Sequence, residues 1–260
     1  MLESGERGVR MVDSVRIVTD LSRDEVEGGV LITGFRGFGL VGYLVSKHIA
    51  LALRASKRGI ILTPLTPPVI LMEEDGVGYP FEIYFHRDRR IVVIVNRANP
   101  EREVQGEYTS TLASWASDMG ISLAILVGGL NNEFMEPGDK HGYRWVGNEY
   151  YIGRRPPAPT MERGLGVIGP LALLYLHLTL NKIPTIMVLP YAMADRTDYE
   201  AVVRGIKVIS SEILGLNINI REVERMAALQ RERAAESEFV ERMLQQSERE
   251  NDEEESGIYM

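Results

Sequence analysis

The stretch GVLITGFRGFGLVG, residues 29–42, decides the fold. Its first half, Gly29 to Phe35, is an apolar run that reads as a strand buried on both faces. The residues after it place Val41, Leu44, Val45, His48 and Ala52 on one face of a helix. A strand handing over to a helix through glycines is the opening unit of an α/β protein, and the rest of the chain repeats the alternation.

Working outward, Gly59 to Leu65 reads as a second strand closed by Pro64, Pro67 and Pro68, and an apolar stretch, Val69 to Met72, follows. In Pro80 to His86 the residues Phe81, Ile83 and Phe85 alternate with Glu82, Tyr84 and His86. A charged turn, Arg87 to Arg90, joins this run to IVVIVNR as a hairpin. Val104, Tyr108, Leu112, Trp115 and Met119 then fall at helical spacing and lead into the strand Ser122 to Gly129. The segment Asn131 to Gly166 reads as one long irregular loop, and loops of that length commonly carry function. Beyond it lie a helix with Pro170 in its first turn and the strand PTIMVLP. Thr197 and Glu200 have capping-box spacing for a helix with Val202, Ile206, Ile209 and Ile213 inward, which stops near Gly215.

Asn219 and Glu222 cap a last helix running to about Gln246. Its seam of Ile220, Val223, Ala227, Gln230, Ala234 and Ser237 turns polar halfway, so its first part should dock and its last part project. The expected organisation is an α/β body over 1–218, a projecting helix over 219–246 and an acidic flexible tail over 247–260. The body should be three-layered, with a mainly parallel sheet between helices.

Composition narrows the function. The chain has no cysteine, which excludes disulfides, thiolate metal sites and cysteine nucleophiles. The net charge is −8, and six Arg against twelve Asp and Glu between Arg221 and Glu255 give −6 of it. A general basic surface for nucleic acid is therefore disfavoured. The longest apolar run, Leu171 to Leu180, is interrupted by His177 and too short to span a bilayer, and the charged start is unlike a signal peptide. A soluble cytoplasmic protein is expected, with no membrane or nucleic-acid partner.

Two features carry chemistry. Gly37, Gly39 and Gly42, after Gly34, satisfy the G-x-G-x-x-G spacing that lets a backbone approach a pyrophosphate at a helix N-terminus. The acid that should follow about 20 residues on is missing, since the second strand ends in Thr63, Pro64, Leu65 and Thr66. The alternative is a structural turn whose glycines let the helix pack tightly. The second feature is the end of the chain: Ile258, Tyr259 and Met260 follow Ser247 to Gly257, a segment too polar and acidic to fold alone. An apolar pair there serves either nothing, as a frayed terminus, or a partner.

Other candidates are weaker. His48, His86, His141 and His177 lack metal-ligand spacing, and no serine lies in a G-x-S-x-G elbow. Glu73, Glu74 and Asp75 before Gly76 and Gly78 read as a solvated turn. Glu133, Glu136, Asp139, Lys140 and His141 are loop groups able to line a pocket, though nothing in their spacing demands it.

Taken together, GFRGFGLVG after a strand, ILVGG at a later strand end, and GVIGPLALLYLHLTLNKIPTIMVLP resemble the archaeal branch of the proteasome assembly chaperone family, from about Gly29 to Leu214. Ile258, Tyr259 and Met260 match the hydrophobic-tyrosine-any-residue terminus of proteasome activators and chaperones. The resemblance implies a phosphorylase/hydrolase-like three-layer body, no enzymatic activity, no cofactor and no metal. It implies homo-oligomers and leaves open whether a related chaperone chain joins them as a further partner. It also implies that Ile258, Tyr259 and the Met260 carboxylate dock between α subunits of the proteasome core particle, while Gly34, Gly37, Gly39 and Gly42 remain structural. The competing reading from the residues alone is a nucleotide- or nucleoside-binding enzyme using the Gly34 to Gly42 turn.

Overall fold

The computed structural model describes residues 14–73 and 76–236. Along the chain lie β1 (Arg16–Thr19), α1 (Arg23–Val26), β2 (Val30–Gly34), α2 (Val41–Ala52), β3 (Ser56–Leu62), β4 (Leu71–Glu73), β5 (Gly76–Gly78), β6 (Phe81–His86) and β7 (Ile91–Asn96). They continue with α3 (Gln105–Asp118), β8 (Leu123–Val127), β9 (Leu130–Asn131), β10 (Tyr143–Gly147), α4 (Pro170–Leu180), β11 (Thr185–Ala192) and α5 (Tyr199–Lys207). A final helix, α6, occupies 221–236 at the end of the described residues.

The sheet runs β1-β3-β6-β7-β2-β8-β11-β10, with β9 beside β11. Its centre is parallel, β7 with β2, β2 with β8 and β8 with β11, and its flanks are antiparallel. One core, with Val45, Ile49, Val127, Val202 and Ile206, lies between the sheet and the α2–α5 layer. The other, with Phe81, Ile94, Tyr108, Leu126 and Leu174, lies under α3 and α4. This is the expected α/β/α sandwich, and it explains why the central strands read as unbroken apolar runs.

Several expectations need correction. The stretch Asn131 to Gly166 is not irregular throughout: Tyr143–Gly147 forms β10, paired antiparallel with β11, and Trp145 bridges Thr160. Arg144 and two glycines near it hide the strand pattern; β11 supplies the ladder of β10, and Asp139 and Glu162 of the same segment neutralise the buried guanidinium. The cap of α5 is Asp198, not Thr197, with its carboxylate accepting from the Ala201 amide at 3.0 Å. Strand β3 begins at Ser56, before the first apolar residue, because β1 and β6 supply its hydrogen bonds. Strand β1 and helix α1 have no strong period of their own, and their pairing with the body creates them.

Candidate functional site

The glycine turn is compact. Gly34 ends β2 and Gly42 opens α2, and the two backbones touch: a Cβ built on Gly34 would lie 2.3 Å from the Val127 carbonyl oxygen and 2.6 Å from the Gly42 Cα. One built on Gly42 would lie 2.3 Å from the Phe35 oxygen. Gly39 has φ +61°, and Leu40 after it is also left-handed at φ 54°. Gly37 is different, since its φ of −154° is open to other residues and a Cβ there meets nothing within 4 Å. Gly34 and Gly42 are thus required by the close packing of α2 on β2 and β8. The turn also reaches sideways: the Gly39 carbonyl accepts the Asp198 amide at 3.1 Å, and the Asp198 carboxylate accepts the Met193 amide at 3.0 Å. It thereby fixes the start of α5.

Helix α6 docks on that same corner. Val223 and Ala227 are buried, the Gln230 amide donates to the Thr197 carbonyl at 2.5 Å, and its oxygen accepts the Tyr199 amide at 3.0 Å. Lys207–Glu224 at 2.8 Å and Arg231–Glu200 at 2.9 Å are exposed pairs that add little. Between α6, the end of β11 and the start of α5 opens a groove of about 570 Å³. Met135, Met193, Met226 and Leu229 floor it, and Arg196, Arg204, Arg231 and Arg233 stand around it. The sequence-predicted docking residues Ile258, Tyr259 and Met260 lie outside the described residues, as do 237–246 and the acidic tail.

A second constellation escapes sequence reading. Arg97, its side chain 1% exposed, forms ion pairs with Glu73 at 2.7 Å and with Glu82, which is wholly buried. Lys57 reaches Glu82 at 2.5 Å, Lys47 reaches Glu73 at 2.8 Å, and the Tyr43 hydroxyl donates to Glu73 at 3.0 Å. Burial pushes the Glu73 carboxyl up, but hydrogen bonds from Arg97 and Lys47 outweigh it and hold the carboxyl at about 2. Burial likewise raises the Tyr43 hydroxyl, and the charge of Glu73 adds to it. Glu73 is thus no solvated turn residue. It belongs to the two-stranded ribbon β4–β5 and fastens that ribbon to the body, with Gly78 lying flat on Arg97, where a Cβ would come 2.5 Å from Nε. The legible signs were Glu82 inside an apolar strand and the spacing of Gly76 and Gly78.

Among the described residues no cluster of three His, Asp or Glu is arranged to hold a metal ion, and no helix is long and apolar enough to cross a membrane. The sequence matches the model of the PAC2 family over residues 31–238. The chain belongs to the PAC2 family. A search of curated proteins finds no significant match. Among solved structures, Pyrococcus furiosus PbaA, described as an archaeal homologue of proteasome-assembly chaperone, superposes with a TM-score of 0.73 at 18% identity, over 95% of this chain and 100% of that one. P. furiosus PbaB, described as an archaeal proteasome activator, gives 0.70 at 19% identity over 86% and 99%. A Thermoplasma acidophilum protein of unknown function gives 0.65 at 17% over 87% and 93%. At these identities the likeness is one of fold.

In this PAC2 family member the long middle segment is pinned rather than loose. Arg144 is buried between Asp139 and Glu162, with its guanidinium 5.1 Å from the Tyr191 ring centre. Burial pushes the Asp139 carboxyl up, but the His141 amide and Arg144 hold it below the usual carboxylate range. The Trp145 indole donates to the Ala158 carbonyl at 2.8 Å, and the Tyr143 hydroxyl to Glu212 at 2.5 Å. Asp139 is therefore spent on architecture, whereas Phe134 and Met135 of the same segment remain exposed beside the groove.

Proposed function

We propose that this protein is an ATP-independent proteasome assembly chaperone or activator, not an enzyme, which docks its C-terminal tail on the α ring of the proteasome core particle. The reading is carried by the conjunction, in one chain, of a PAC2 body with Ile258, Tyr259 and Met260 after an acidic segment. PbaA, an archaeal homologue of proteasome-assembly chaperone, and PbaB, an archaeal proteasome activator, share the fold and support it. Eleven residues, Ser247 to Gly257, precede the anchor, a length of chain that can reach at most roughly 40 Å. Tyrosine offers a pocket an apolar ring and a hydroxyl, and the terminal carboxylate needs a cation or backbone donors at a fixed distance.

One tail binds weakly, because burying an Ile and a Tyr contributes about 1.5–3 kcal/mol each before ordering costs. A homo-oligomer presenting several tails gains avidity without new contacts. Co-elution with purified core particle tests the reading. Tyr259→Ala should abolish retention and stimulation of peptide hydrolysis, and so should one residue added after Met260, each leaving the body folded. Undiminished binding by the extended protein would overturn the terminal anchor, since that change moves the carboxylate and keeps every side chain.

A further inference from the structure

The ribbon β4–β5 has two unlike faces. On the inner one, Glu73 and Gly78 meet Arg97, while the Lys57 ammonium donates to the Val77 carbonyl at 2.7 Å and the Tyr79 amide to Glu82 at 3.2 Å, tying the ribbon to β3 and β6. On the outer face Met72 stands directly across from Val77, and Ile70 and Tyr79 extend the same apolar surface. Met72 is 80% exposed and Ile70 67%. A two-stranded ribbon with an apolar face in water is marginal by itself. Here a buried ion network holds it rigidly outward.

We infer that this ribbon is the plug of a head-to-tail contact between copies of the chain, and that its socket is the methionine-floored groove between β11, α5 and α6 of the next copy. Placement argues against a contact within one copy. The ribbon is fastened at β3 and β6, the groove opens at β11, and β7, β2 and β8 stand between, so four strand spacings separate β6 from β11, about 19 Å. The two surfaces sit on opposite flanks of one sheet, both at the carboxyl ends of the parallel strands.

Their chemistry matches. Met72 and Ile70 would meet Met193, Met226 and Leu229, and thioether side chains adapt to an irregular apolar partner. The groove has four arginines against Asp198 and Glu200, the former committed to capping α5, while the strands of the ribbon are joined in sequence by Glu74 and Asp75. A heterologous contact of this kind closes into a ring when its rotation does. Rotation about one axis then sends every α6 out on the same side. The inference deepens the homo-oligomer of the proposed function and rests on that part of it alone.

The absence of cysteine makes the test direct. Met72→Cys and Leu229→Cys are made separately in the full chain and treated with a short thiol-to-thiol cross-linker, alone and mixed. Cross-linked pairs in the mixture, and none from either variant alone, are expected. Met72→Glu and Met226→Glu should each convert the wild-type oligomer to monomer in sedimentation, with circular dichroism unchanged. Cross-linking by Met72→Cys alone would mean ribbon against ribbon and would overturn the plug and socket. So would a wild-type oligomer whose mixed variants fail to cross-link. A monomeric wild type overturns the homo-oligomer as well. Cross-linked mixtures of a protein that core particle does not retain would uphold this contact and sink the proteasome reading.

Discussion

Gly42 and Gly37 share one motif and do different work. Any side chain at Gly42 drives Cβ into the Phe35 and Val127 backbones, which cannot rotate away, whereas Gly37 faces open space. Gly42→Ala should therefore cost ~3 kcal/mol or more, the upper range for overpacking, and Gly37→Ala should stay within about 0.5 kcal/mol of wild type. Chemical denaturation of the two variants checks this, and equal losses would refute it. The spacing of the motif was legible in the sequence, but which glycine is indispensable was not. That depends on where β8 passes, and β8 lies far along the chain. Asp198 teaches the same lesson: Thr197 has the better-known spacing, yet the carboxylate one residue on reaches both Ala201 and Met193.

Among the elements, the β4–β5 ribbon depends most on a single side chain. Arg97→Met would leave Glu82 buried without its guanidinium and Glu73 held only by Lys47 and the Tyr43 hydroxyl, so a loss of about 3–5 kcal/mol is expected. The pH dependence has a definite sign. The folded Glu73 carboxyl lies at about 2 against an ordinary 4.5, so its contribution is full above the unfolded value and fades as pH falls towards 2. The difference in Tm between wild type and Glu73→Gln should accordingly shrink from about pH 5 to about pH 2. A difference that stays constant over that range would show that the carboxylate charge does not hold the ribbon. Helix α6 is the contrasting element, because its docked positions Val223, Ala227 and Gln230 stand at the spacing read from sequence.

Over the whole molecule, the proposed function gives tail and body separable duties. Met72→Glu leaves Ile258, Tyr259 and Met260 untouched, yet on the proposed ring it should weaken core-particle retention by roughly 10²-fold or more through lost avidity. Tyr259→Ala should leave the oligomer intact and lose retention. Binding measured against core particle, alongside sedimentation of each variant, separates the two. If Met72→Glu is monomeric and still binds at full strength, avidity is not part of the mechanism.

The sequence by itself determined the alternation of strands and helices, the inward faces of α3 and α5, and the glycine-lined junction at Gly34 to Gly42, because period and turn chemistry are local properties of the chain. In α2 it placed His48 and Ala52 inward, where Ile49 and, just after the helix, Leu53 are the buried residues. Tertiary structure alone decided the rest. It made Glu73, Glu82 and Arg97 one buried network, turned Asn131 to Gly166 from loop into a strand-bearing segment by pairing Tyr143–Gly147 with β11, and set a methionine groove and an apolar ribbon on opposite flanks of the sheet. The physical reason is that charge pairing and strand adjacency join residues tens of positions apart, and no local pattern in the chain records which ones will meet.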